Sequence, residues 1–438
     1  MHRRLSLFLV VLTVALVGTS SASARTDGWW IDLSVVAPAF TGSQLAAQPY
    51  GNYIGFQGSS WAQGYSGLGQ VNTTNVTGLK EMWHVHLGSG GIAGISAAAP
   101  GLVYNGVMYM CTGSFDVYAL DAQRGTILWH YDPALNPTKT TGGRSCRGLA
   151  MGDGKIYSAR NDGALVALDQ LTGGVVWRSQ ISGTPSEGYY QTAAPAYYDG
   201  MIITGAGGGE NGIRGSLAAF SSKDGSLIWR TYMIPAPGEP GSETWAPGSD
   251  WQHGGAPIWV HPVIDPSLDM VYAGVGNAAP YNGRPAGDNL FTASVVALNA
   301  HTGKMNWYYQ TVHHDIWDDD IPQTPVLFNR AVDGKLQLGI AQVTKMGYTF
   351  LLDRTNGKPL VPTPEVKQPQ DPEVPGLSPT QPIPAGDPWA EECATFPEWL
   401  AAGGDALAPD GKPFRFGCNF TPLRSDVYTV PGLSLIHI

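Results

Sequence analysis

Four times along the chain an apolar stretch runs into a short polar turn holding one glycine, and a second apolar stretch then closes on tryptophan. The copies are Tyr118-Ala-Leu-Asp-Ala-Gln-Arg-Gly-Thr-Ile-Leu-Trp129, Val166-Ala-Leu-Asp-Gln-Leu-Thr-Gly-Gly-Val-Val-Trp177, Ala218-Ala-Phe-Ser-Ser-Lys-Asp-Gly-Ser-Leu-Ile-Trp229 and Val296-Ala-Leu-Asn-Ala-His-Thr-Gly-Lys-Met-Asn-Trp307. A fifth copy, Phe350 to Leu360, keeps the turn and lacks the tryptophan. Each copy predicts a strand, a tight turn and a second strand. An Asp or Asn caps the turn, and Gly125, Gly173, Gly225 and Gly303 supply the positive φ it asks for. Upstream of each lies another strand pair with its own turn, as in Gly101-Leu-Val-Tyr-Asn-Gly-Val-Met-Tyr-Met110. One period therefore holds about four strands in roughly 50 residues, the signature of an all-β propeller whose blades bury their faces on one another. The repeated tryptophan is expected to pack between blades, and the repeats account for about five of them.

Composition agrees with that pattern and removes some functions. Of 438 residues, 43% are hydrophobic and only 14% charged, with abundant Gly, Trp and Tyr, which suits an aromatic-packed β protein. A formal net charge of −10 without a basic stripe opposes nucleic-acid phosphates, so no nucleic acid is expected as a partner. Met1-His-Arg-Arg4, an apolar run from Leu5 to Gly18 and Ala22-Ser-Ala24 read as a secretory signal over residues 1–24. That run is short for a bilayer span, and no other segment is long and apolar enough to cross one. A periplasmic or secreted location follows. There the four cysteines meet an oxidising environment in which disulfides persist. Three pairings are open, and Cys393 with Cys418 is preferred because it would close a loop-rich excursion, worth about 3 kcal/mol of chain entropy. Cys-x-x-Cys and Cys-x-x-Cys-His motifs are both lacking, so zinc-ribbon, thioredoxin-like and covalent haem readings find no support in this chain.

The densest polar chemistry is His313-His-Asp-Ile-Trp-Asp-Asp-Asp320, just beyond the fourth tryptophan copy. Neighbouring carboxylates raise one another's pKa, so a cation, a proton or strong donors must offset them. On these residues alone a solvated acidic loop and a metal and proton-transfer site stand level. Two further segments carry isolated polar groups among glycines: Gly207-Gly-Gly-Glu-Asn-Gly-Ile-Arg-Gly215 and Gly274-Val-Gly-Asn-Ala-Ala-Pro-Tyr-Asn-Gly283. Alone, each indicates a tight turn or close backbone approach, with Glu210 at the surface and Asn277 in a turn.

Together these segments, in this order, resemble the quinoprotein dehydrogenases, eight-bladed propellers that hold pyrroloquinoline quinone (PQQ) and a metal on the propeller axis. The repeat is similar to that family's tryptophan-docking motif, and the likeness runs from about Val71 to about Gly432. The resemblance implies that Glu210, Asn277 and Asp318 bind the metal through oxygen, with Asp320 as a possible extra ligand. Such a set suits Ca2+, Mg2+ or a lanthanide. It also implies that Asp318 is the general base, and that Trp259 stacks on the quinone plane. Gly208 and Gly209 would let the backbone approach the quinone. Arg147 and Lys345 would face its carboxylates and ortho-quinone oxygens, and Thr192 would offer a hydroxyl to a carboxylate. The implied reaction removes hydride from an alcohol, polyol or sugar hydroxyl and passes two electrons to a cytochrome c or a membrane ubiquinone. The same tryptophan repeat also occurs in cofactor-free propeller scaffolds of outer-membrane assembly, which lack a reason to keep this residue set together.

The chain departs from the family pattern in several places. A vicinal Cys pair is common in the alcohol branch, but here Cys146 stands alone before Arg147, as in the sugar branch, and Ala97 replaces a frequent Glu. The segments around Glu210 and Asn277 look like the alcohol branch, while His313 to Asp320 looks like the sugar branch. After Gly432 the family continues into further blades, whereas this sequence ends Leu433-Ser-Leu-Ile-His-Ile438. The expected organisation is a signal over 1–24, a partial propeller over 25–432 and a non-native tail over 433–438. An unclosed ring of this kind would expose strand edges and tend to aggregate.

Overall fold

A computed structural model describes residues 34–88, 95–135, 144–280, 284–374, 376–393 and 415–424, together with 32, 397, 407, 411, 413 and 427–429. The expected signal segment and C-terminal tail lie outside the described residues. Four antiparallel meanders of four strands follow one another. The first is Leu102–Tyr104, Val107–Cys111, Val117–Asp121 and Ile127–Tyr131. The second is Ala150–Gly152, Lys155–Ala159, Ala164–Asp169 and Val175–Gln180. The third is Ala196–Tyr198, Met201–Gly205, Ser216–Ser221 and Leu227–Tyr232, and the fourth Val263–Asp265, Met270–Gly274, Ser294–Asn299 and Met305–Gln310. A fifth sheet has three strands, Val326–Val332, Lys335–Val343 and Thr349–Asp353. Where its fourth strand would run, Pro359 makes only an isolated bridge to Leu352. Proline cannot donate to a ladder, which fits the absence of a regular fourth strand at this position.

Burial explains why the third strand of each blade reads as an unbroken apolar run. Val117–Asp121 is buried along its whole length, and Ala164–Asp169, Ser216–Ser221 and Ser294–Asn299 at all but the last residue, because neighbouring blades cover both faces. The fourth strand is outermost, and only its tryptophan is fully turned inward in the second and third blades. The ladder between third and fourth strands carries the same bulge in all four complete blades. Trp129, Trp177, Trp229 and Trp307 oppose Ala119, Ala167, Ala219 and Ala297, and the residue before each tryptophan is skipped. A bulge of this kind re-aims the next side chain. Here it sends the indole into the following blade.

The docking is uniform. Indole N–H groups donate to the carbonyls of Gln170, Ser222, Ala300 and Arg354 from Trp129, Trp177, Trp229 and Trp307, at 2.9 to 3.1 Å. Each ring covers the glycine of the next turn so closely that a Cβ on Gly173, Gly225, Gly303 or Gly357 would lie 2.5 to 2.6 Å from it. The repeat glycine therefore meets two demands, a φ of +70 to +76° and an indole against its Cα. Trp83, from a segment ahead of the first blade, docks in the same way, donating to Ala122 O at 3.1 Å with its ring on Gly125.

Meander geometry then sorts the loops. Strand directions alternate, so the loop between second and third strands and the crossover to the next blade lie at one end, and the tryptophan-repeat turns at the other. At the repeat-turn end, His301 joins two blades: Nε2 lies 3.0 Å from Asp199 Oδ2 and Nδ1 2.6 Å from Asp269 Oδ1. Partial burial opposes its charge, but the Asp199 and Asp269 carboxylates outweigh this and raise the His301 pKa above its ordinary value. Its contribution should therefore be complete below the usual histidine pKa and be lost as pH rises through the elevated one. His301→Ala should lower the thermal midpoint at pH 6 and leave it nearly unchanged at pH 9. The cost at pH 6 should be below about 1 kcal/mol, because solvent screens the pair.

Candidate active site

The predicted site residues all come from the opposite end. Arg147, Thr192, Trp259 and Asp318 lie on successive crossovers, while Glu210, Asn277 and Lys345 lie on the loops between second and third strands of the third, fourth and fifth blades. The His313–Asp320 segment is a folded turn. Asp315 is buried, and its Oδ1 accepts the backbone N–H groups of Trp317 and Asp319 at 2.9 and 3.0 Å. Inside that turn Asp318 adopts φ +68°, in the left-handed region that few side chains occupy. Asp318 is thereby turned toward the fifth blade, with 38% of its side chain open.

Lys345 answers the carboxylates. Its ammonium lies 3.0 Å from Asp318 Oδ2 and 2.5 Å from Asp320 Oδ1, and it donates to the Asp318 carbonyl at 2.7 Å. The other Asp320 oxygen accepts from Trp259 Nε1 at 2.8 Å. Arg147 sits over the Trp259 ring, 5.1 Å from its centroid, donates to the Thr192 hydroxyl, and takes the Thr192 carbonyl on its own backbone N–H at 3.0 Å. Five predicted residues besides Asp318 thus form one chain of contacts. Burial and then Asp320 push the Asp318 carboxyl up to about 7, against the pull of Lys345. Burial opposes the charge on Lys345, yet Asp320 and Asp318 hold it above the usual lysine range. Burial lowers the Arg147 pKa. Asp319, which has no counterpart among the expected site residues, is buried and pushed well above the ordinary range, by burial and then by Asp315.

Glu210 is exposed, and no direct contact joins it to this group among the described residues; both act electrostatically on Tyr190, a residue without a motif in the sequence. Burial and then Glu210 push the Tyr190 phenol up to about 12, with Asp320 adding to the rise and Arg147 opposing it. The Tyr190 ring packs along the glycine segment that carries Glu210, 3.4 Å from where a Cβ would sit on Gly207 or Gly208. Gly208 has φ +105°, and a Cβ there would meet Gly188 O at 2.1 Å; one on Gly209 would meet Pro257 at 2.6 Å. The close approach seen at these two glycines is to neighbouring protein backbone and ring. Asn277 is fully buried, and its Oδ1 finds no hydrogen-bond partner among the described residues. Among the described residues no three His, Cys, Asp or Glu side chains form a group ready to hold a metal.

Both disulfides tie elements to this end. Cys393 pairs with Cys418, as preferred from sequence, and Cys146 pairs with Cys111, next to Arg147. Beyond Cys418, Asn419 donates to Met346 O at 2.9 Å, and Thr421 O accepts Trp317 Nε1 at 2.7 Å. The bridged segment therefore grips both the Lys345 loop and the Asp318 turn.

Residues 54–426 match the family model described as PQQ glucose/ethanol/alcohol dehydrogenase, β-propeller domain. The quinohemoprotein alcohol dehydrogenase ADH IIB of Pseudomonas putida is 36% identical over 317 residues, covering 68% of this chain and 45% of the relative. The quinoprotein alcohol dehydrogenase PedH of Pseudomonas putida is also 36% identical, covering 70% of this chain and 53% of its own length. Among solved structures, the quinohemoprotein alcohol dehydrogenase of Comamonas testosteroni superposes with a TM-score of 0.67 at 32% identity, covering 78% of this chain and 53% of that one. A europium-containing methanol dehydrogenase gives a TM-score of 0.67 at 28% identity, covering 78% and 62%. The chain spans about half the length of the curated relatives it matches.

Proposed function

Because the chain belongs to the family of PQQ β-propeller domains of glucose, ethanol and alcohol dehydrogenases, we propose that it forms the catalytic part of a PQQ- and metal-dependent dehydrogenase acting on an alcohol or sugar hydroxyl. The observation that carries this reading is the contact chain Asp318, Lys345, Asp320, Trp259, Arg147, Thr192 at one end of the blades. It sets a raised carboxyl, the buried Lys345 ammonium, the half-buried Arg147 guanidinium and an indole around one place. PQQ supplies the two-electron oxidant when bound, and a hard cation beside it supplies Lewis acidity.

The residues fit both groups. Asn277 Oδ1, fully buried and without a hydrogen-bond partner among the described residues, is an oxygen donor of the kind a Ca2+, Mg2+ or lanthanide site requires, and Asp318, Asp320 and Glu210 would add carboxylates. Arg147 and Lys345 suit a tricarboxylate and its quinone oxygens, with Thr192 as a hydroxyl donor and Trp259 as a flat neighbour. Asp318 takes the substrate hydroxyl proton, a role for which a carboxyl poised near neutral pH is well matched. Lys345 steadies both Asp318 and negative charge developing beside it. Electrons then leave to a cytochrome c or ubiquinone. No described helix is long and apolar enough to cross a membrane.

The test is reconstitution of the full-length gene product with PQQ and either Ca2+ or a lanthanide, followed by dye reduction with alcohols and sugars. Bound-quinone absorbance and turnover with at least one metal are expected. Absence of both with every metal rejects the assignment.

A further inference from the structure

Arg284 and Asp315 form a buried ion pair that the proposed chemistry leaves unused. Arg284 Nη1 lies 3.3 Å from Asp315 Oδ1, with side-chain exposures of 1% and 0%. Arg284 belongs to the long loop of the fourth blade that also carries Asn277, and Asp315 to the crossover that carries Asp318. Burying two full charges is unfavourable unless their geometry and hydrogen bonding offset the lost hydration, and in some proteins such a pair is kept because it fixes a particular arrangement.

What it fixes is visible in the neighbouring contacts. The Asp315 oxygen facing Arg284 is the same one that accepts the Trp317 and Asp319 N–H groups, so the guanidinium and the turn share one anchor. The loop is also stitched to the crossover through His314. Its Nδ1 lies 2.8 Å from Gly287 O and 3.2 Å from Asn289 Oδ1, and its backbone N–H donates to Asp288 O. His314 and Asp318 both hold left-handed φ values, +47° and +68°. Two non-glycine residues in that region within five positions persist only where the surroundings over-determine them.

We propose that the Arg284–Asp315 pair is a brace that sets the direction of Asp318, and that both are positioning residues for the reacting carboxylate. The brace ties the loop holding Asn277 to the turn holding Asp318, so it also fixes the spacing of those two oxygen donors. The catalytic consequence rests on Asp318 serving as the base in the proposed dehydrogenase. The structural consequence does not.

Two measurements on the full-length protein separate these. Amide hydrogen exchange without cofactor should show Trp317 and Asp319 exchanging at least about tenfold faster in Asp315→Asn, with the blade strands unchanged. Arg284→Gln removes the charge from the other side of the pair and serves, with the same expected exchange at Trp317 and Asp319, if Asp315→Asn does not fold. Unchanged exchange at Trp317 and Asp319 in the folded variant overturns the brace, whatever the protein catalyses. In enzyme loaded with PQQ and metal, kcat per bound quinone should fall about 100-fold at constant KM. That loss should vanish in an Asp318→Asn background; losses that multiply would mean a general structural role and overturn the positioning claim. If wild type binds no quinone and does not turn over, the dehydrogenase reading fails while hydrogen exchange still decides the brace.

Discussion

Asp318→Asn should lower kcat of the loaded enzyme by about 10²- to 10⁴-fold, the usual contribution of a positioned general base. The amide is nearly isosteric, so contact with Lys345 through its oxygen survives, while the negative charge and with it the ability to take a proton are lost; reading kcat per bound quinone separates that loss from weaker cation binding. The same substitution should not destabilise the fold above neutral pH. A carboxyl pushed up to about 7 in the folded state binds its proton more tightly there than in the unfolded chain. Its ionised form therefore weakens the fold increasingly as pH rises from the ordinary carboxylate range through 7, and an amide removes that penalty. Cation binding gives a second readout. A cation that takes Asp318 as ligand must displace the proton held on it, so metal added near pH 6.5 to weakly buffered protein should release protons, and less in Asp318→Asn. Full turnover by Asp318→Asn, measured per bound quinone, would remove this residue as base. Asp320, held by both Lys345 and Trp259, would be the next carboxylate to examine.

The parts of this molecule legible in the sequence are those whose physics is local. The tryptophan repeat announces itself because turn, glycine and indole lie within twelve residues, and the bulge recurs with them. Trp83 escaped because its indole docks on Gly125 without an Asp-to-Gly turn of its own upstream. The site residues were legible as motifs, but not their contacts: Lys345 and Asp318 are 27 positions apart, and only the meander brings both to one end. Gly208 and Gly209 show the reverse case. Their need for a missing Cβ was readable, whereas the neighbours that occupy the space, Gly188 and Pro257, arrive from the crossovers on either side of that blade. Tyr190 and Arg284 carried no signal at all. A single tyrosine or arginine in a loop acquires meaning only when the charges around it are known.

At the repeat-turn end, Asp265→Ala should cost about 3 to 5 kcal/mol of stability, as removal of one partner from a fully buried ion pair usually does. Arg354 Nε lies 2.6 Å from Asp265 Oδ2, with side-chain exposures of 1% and 0%. The guanidinium also donates to Phe328 O, Gly339 O and Asn329 Oδ1 and lies over Trp61, so it cannot leave when its carboxylate is removed. The other Asp265 oxygen accepts from the Ser267 N–H and hydroxyl, and those donors lose their partner as well. Arg354 matters beyond its charge, because its carbonyl receives both Trp307 Nε1 and Tyr272 OH, the docking contacts between the fourth and fifth blades. The damage should therefore appear as a lower urea midpoint. The cofactor site at the other end should keep its kcat per bound quinone. Asp265→Ala and Asp318→Asn thus make opposite pairs of effects, stability lost with chemistry kept and chemistry lost with stability kept. A variant at Asp265 that lost kcat in proportion to nothing but its own folded fraction would agree with this division. A specific loss of kcat in fully folded protein would show that the two ends of the blades are coupled.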